Sequence, residues 1–133
     1  MTETEKQNFL GVDHPAVAAD DVEILADWYC NVFGYEKWFK HPKPVWMLKA
    51  PDGTLLEVMP KDETIRQSRT TWTPGWSHVA YRVRNIEKAV TWLNEKNITW
   101  GGEVMDAIGG GKVRNCFDPE GNMIQILERN KEV

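Results

Sequence analysis

Between residues 22 and 33 the apolar side chains Val22, Leu25, Ala26, Tyr29, Val32 and Phe33 recur at helical spacing, so one face of a helix is apolar. Asp20 or Asp21 stands where an N-cap belongs, and Gly34 where a left-handed C-cap belongs. A second helical pattern carries Ile86, Ala89, Val90 and Leu93 behind the cap residue Asn85 and closes near Asn97. Around these two segments the period changes to two, which predicts strands. Residues 9–19, 35–39, 45–50 and 54–59 form the first set, and residues 77–83, 100–105, 113–117 and 123–128 the second. Each set reads strand, helix, strand, strand, strand.

The two sets are copies. Pro51-Asp52-Gly53-Thr54-Leu55-Leu56-Glu57-Val58 aligns without gaps on Pro119-Glu120-Gly121-Asn122-Met123-Ile124-Gln125-Ile126, and Asp13-His14-Pro15-Ala16-Val17 falls on Ser77-His78-Val79-Ala80-Tyr81. The chain is therefore expected to be an α+β protein of two tandem βαβββ modules in a single domain spanning 8–133. Module one covers 8–60, a polar connector 61–74, and module two 75–130. Gly109-Gly110-Gly111 falls between two strands of the second module and suits either a loop over a ligand or a long turn.

Composition narrows the partners. A formal charge of -4 gives no field to attract nucleic acid, so no nucleic-acid partner is expected. No stretch has the ~18 consecutive apolar residues of a spanning helix, and the start is polar and acidic where a secretory signal would be basic and then apolar. The expectation is a cytoplasmic protein with no membrane partner. Cys30 and Cys116 have no metal-binding spacing and read as reduced thiols. Seven tryptophans are many for this length, and several lie outside the helices; of these Trp46 and Trp76 are taken as candidates to wall a substrate pocket. His41 sits in a proline-rich stretch without a repeat partner and reads as exposed.

The alternation of strand faces singles out four polar residues. If Leu56 and Val58, and likewise Ile124 and Ile126, face a helix, then Glu57 and Gln125 face the other way. The same parity puts His14 and His78 on that opposite face. Two imidazoles, a carboxylate and an amide oxygen suit one divalent ion such as Zn, Ni, Co, Mn or Fe(II), with positions left for water or substrate. The net charge near +1 favours an anionic oxygen.

These motifs, with Trp28 to Tyr35 and Phe117-Asp118-Pro119-Glu120-Gly121-Asn122, resemble the vicinal oxygen chelate superfamily over about residues 10–128. That superfamily takes in glyoxalase I, methylmalonyl-CoA epimerase, fosfomycin and bleomycin resistance proteins and extradiol dioxygenases. The resemblance implies a cup-shaped mixed sheet with helices outside, commonly in a homodimer. It also implies metal ligands on the first and last strands of each module, where His14, Glu57, His78 and Gln125 stand. The family most often has glutamate at the place of Gln125, so this chain lacks a second carboxylate base. The function expected is a metal-dependent lyase or isomerase of the glyoxalase or epimerase type. Its substrate would be a small oxygen-rich, α-hydroxycarbonyl-like molecule passing through an enediolate, with Glu57 as general base. The alternatives are an Fe(II) extradiol-type dioxygenase and a non-enzymatic drug-binding dimer of the bleomycin-resistance type.

Overall fold

The computed structural model describes residues 1–42 and 44–130; the last three residues of the expected domain, 131–133, lie outside the described residues. The chain divides into two compact units, Met1–Asp62 and a second from Glu63 onward. No helix among the described residues is long and apolar enough to cross a membrane.

The first unit opens with a short helix, α1 (Glu3–Gln7), which the apolar pattern does not announce because none of its residues is buried. Thr2 and Glu5 hold it through a reciprocal capping box. Then follow β1 (Ala16–Ala19), α2 (Val22–Phe33), β2 (Glu36–His41), β3 (Val45–Lys49) and β4 (Leu55–Pro60). The first strand is shorter than its alternation suggests. Pro15 has no N–H to donate, so the ladder to β4 begins only at Ala16, although the Pro15 carbonyl still accepts from the Glu57 N–H at 3.0 Å. Asp21 caps α2 through the Ile24 N–H, and Gly34 ends it at φ 76°. The buried residues of α2 are Val22, Leu25, Ala26, Tyr29 and Val32, which pack on Leu48, Leu56 and Val58 of the sheet.

The second unit repeats the plan with β5 (Val79–Arg82), α3 (Ile86–Glu95), β6 (Thr99–Trp100), β7 (Met105–Asp106), β8 (Lys112–Phe117) and β9 (Met123–Glu128). The single strand expected at 100–105 is two short ones, broken at Gly101-Gly102; β6 and β7 each pair with β8 separately. Strand order is β1-β4-β3-β2 in one sheet and β5-β9-β8-β6 in the other, with the first pair parallel and the others antiparallel in both. The duplication seen in the sequence is thus a duplication of topology.

Two turns carry the repeated Pro-x-Gly motif. In the first, Asp52 accepts from the Thr54 N–H and hydroxyl, and in the second the buried Asp118 carboxylate accepts from the Glu120 N–H, the Asn122 N–H and the Asn122 amide. The glycine run forms a closed turn: Gly110 N–H donates to Ala107, Ala107 N–H donates to Gly111, and Arg129 holds the Ile108 and Gly110 carbonyls. Cys116 is buried and its thiol pKa is pushed up to about 12 by that burial, while Cys30 is half-buried; both are free thiols.

Candidate metal and substrate site

Residue parity in the last strand of each module follows the alternation. Leu56, Val58, Ile124 and Ile126 are buried on the helix side, and Glu57 and Gln125 emerge on the opposite face. Register then fixes the histidines. Glu57 lies beside Ala16 and Gln125 beside Ala80, and each histidine precedes its alanine by two residues. His14 with Glu57 and His78 with Gln125 therefore occupy matching places in the two units.

The first pair is in direct contact. His14 Nε2 lies 3.1 Å from Glu57 Oε2, both side chains being partly exposed, and its Nδ1 donates to Asp13 at 2.7 Å. The hydrogen bond to Asp13 raises the His14 pKa most; burial opposes the rise and the Glu57 charge adds to it. In the second unit His78 Nδ1 is hydrogen-bonded to Ser77 Oγ at 2.9 Å. Both imidazoles thus engage Nδ1 with the preceding side chain, which fixes each ring through that nitrogen. Among the described residues, no three His, Cys, Asp or Glu side chains gather as a metal-holding group. In the first unit an imidazole stands with a carboxylate, and in the second an imidazole with an amide; each is a ligand type that a divalent ion accepts.

Glu57 also borders an open concavity of about 290 Å³ with Phe39, His41, Val45 and Met47. Ladder register accounts for it, since Phe39 is opposite Met47, Met47 opposite Glu57, and His41 opposite Val45. His41 is exposed, as its sequence context suggests, but it ends a strand instead of sitting in a turn, and shares the Glu57 face. Counting the hairpin register across residues 41 to 45 is the signal that would have placed it there.

Trp46 lies elsewhere. It pairs with Val58, on the helix side of the sheet, and its indole N–H donates to the Glu23 carboxylate at 3.0 Å beneath Lys37 and Lys40. A bulge at Trp38 lets Lys37 and Lys40, three residues apart, share that face. Trp76 is 97% exposed, two residues before His78.

A sequence profile described as the Glyoxalase/Bleomycin resistance protein/Dioxygenase superfamily matches residues 11–126. The chain belongs to this superfamily. Solved structures share its fold. A glyoxalase family protein from Enterococcus faecalis is 24% identical with a TM-score of 0.76, covering 91% of this chain and 99% of that one. Lactoylglutathione lyase from Agrobacterium tumefaciens is 20% identical with a TM-score of 0.68, covering 90% and 93%. The fosfomycin resistance protein FosX from Listeria monocytogenes, complexed with Mn(II) and sulfate, is 14% identical with a TM-score of 0.72, covering 92% of each chain. No curated protein matches the sequence. Membership establishes fold and superfamily, within which both lyases and resistance proteins occur.

Proposed function

We propose that this superfamily member is a metal-dependent lyase or isomerase of the glyoxalase or epimerase type, working on a small α-hydroxycarbonyl-like substrate. His14, Glu57, His78 and Gln125 are its ligand set for Zn, Ni, Co, Mn or Fe(II), and a homodimer is its working form. The observation that carries the reading is the 3.1 Å contact of His14 with Glu57 beside the concavity of Phe39, His41, Val45 and Met47.

A bound divalent ion would supply Lewis-acid stabilisation of charge on vicinal substrate oxygens. Glu57 is the group suited to move the proton. It is half-buried, stands beside an apolar floor, and its carboxylate can take a proton from the carbon next to a carbonyl and return it. Asp13 fixes the His14 ring so that Nε2 points toward Glu57. Gln125, at the matching place, cannot accept a proton at neutral pH, so a single base serves the reaction from the side of module one. Trp76, exposed two residues before His78, is the tryptophan that this reading assigns to cover substrate.

The test is elemental analysis of protein purified without chelator, for the wild type beside His14→Ala, His78→Ala and Glu57→Gln, with isomerase assays on α-hydroxycarbonyl compounds. About one transition metal per chain in the wild type, lost in the histidine variants, is expected. A Glu57→Gln protein that keeps both metal and full turnover would exclude Glu57 as the base. Sedimentation of the purified protein checks the dimer.

A further inference from the structure

One side-chain polar atom is buried without a partner among the described residues, and it is Oδ1 of Asn115. Asn115 lies directly across from Gln125 in the β8–β9 ladder. Its backbone carbonyl accepts from the Gly101 N–H at 2.8 Å, on the side of β6. In an antiparallel strand the N–H and C=O of one residue point the same way, so Asn115 turns its backbone groups away from Gln125. The two residues therefore form a narrow, non-hydrogen-bonded pair, the kind whose side chains come closest. The Asn115 side chain is also hemmed in: a Cβ added at Gly101 would lie 3.3 Å from Asn115 Cβ and 2.9 Å from the Phe117 ring.

A glutamine that ligates a cation must present its oxygen to the ion, which leaves its NH₂ in need of an acceptor. We propose that Asn115 is the positioning residue for Gln125: its buried Oδ1 accepts from the Gln125 NH₂ and so commits Gln125 Oε1 to the metal. This rests on the reading of Gln125 as a ligand. It gives the glutamine of this chain an orientation that a carboxylate at the same place, with two equivalent oxygens, would not need. At the matching place in module one, Met47 faces Glu57 and offers no such acceptor.

The test measures Zn(II) affinity by competition with a chromophoric chelator, and urea unfolding of the chelator-treated protein, for wild type, Asn115→Leu and Asn115→Asp. Leucine matches the shape of asparagine and removes the orphaned acceptor. Zn(II) affinity is expected to fall about 10–100-fold in Asn115→Leu, while the metal-free protein stays as stable or becomes more so, because no unpaired buried oxygen remains. Asn115→Asp keeps the acceptor and is expected to restore affinity. In a Gln125→Glu background, Asn115→Leu is expected to change Zn(II) affinity less than twofold. Wild-type affinity in Asn115→Leu, or loss of affinity and metal-free stability together, overturns the assignment. A wild type that takes up no Zn(II) removes Gln125 as a ligand, and this inference with it, and is told apart from the other failures by that observation alone.

Discussion

Replacing Gly111 by alanine offers the sharpest physical test of the turn that leads into β8. Gly111 has φ 106°, and a Cβ placed there would lie 1.9 Å from the Glu128 carbonyl oxygen and 2.9 Å from the Arg129 Cα. Gly53, at φ 91° in the turn between β3 and β4, would meet nothing within 4 Å and serves as the reference. Gly53→Ala therefore measures the backbone term alone, about 1–2 kcal/mol for a left-handed alanine. Gly111→Ala adds a collision with backbone that no rotamer can relieve. Restoring ordinary contact takes a shift of order 1.5 Å. That shift pulls at the Lys112–Glu128 rung and at the Glu128 carboxylate, which accepts from the Ile86 N–H at 2.9 Å at the start of α3. Added to the backbone term, roughly 1–3 kcal/mol for overpacking and about 1 kcal/mol for one hydrogen bond lost bring the total to about 3–6 kcal/mol. Urea unfolding of the two variants and wild type, with chelator present, reads the difference directly. If Gly111→Ala and Gly53→Ala unfold within about 1 kcal/mol of each other, the collision is relieved at little cost and the reasoning fails.

Other perturbations follow from the same contacts. Asp118→Ala leaves two N–H groups and the Asn122 amide without their buried acceptor and is expected to cost about 2–4 kcal/mol, whereas Asp52→Ala in the exposed counterpart turn costs about 1 kcal/mol; chemical denaturation compares them. Trp46→Phe removes the indole bond to Glu23 on the helix side, so stability should fall by about 1 kcal/mol with metal content unchanged; metal loss in this variant would contradict its placement. His14 has a folded-state pKa raised above its ordinary 6.5, chiefly by its hydrogen bond to Asp13. Its contribution to the metal-free protein is therefore present in full below pH 6.5 and is lost as pH rises through the raised value. A pH series of urea midpoints should show that decline in wild type and not in His14→Gln.

Much of this fold is legible in the amino-acid sequence. The period-two and period-3.6 patterns, the caps Asp21, Asn85 and Gly34, and the two Pro-x-Gly turns depend on neighbours a few residues away, so local rules suffice to place them. Face parity is equally local, and that is why Glu57 and Gln125 could be turned away from the helices on paper. What needed the tertiary structure was everything set by pairing between distant residues. The His14–Glu57 contact depends on β1 lying parallel to β4, the helix-side place of Trp46 on its register with Val58, and the companionship of His41 with Glu57 on the β2–β3 ladder. Asn115 acquires meaning only opposite Gln125, where burial leaves its oxygen without a donor. A strand's own residues dictate which side each faces; which partner a side chain meets there is decided by register, and register is a property of two strands together.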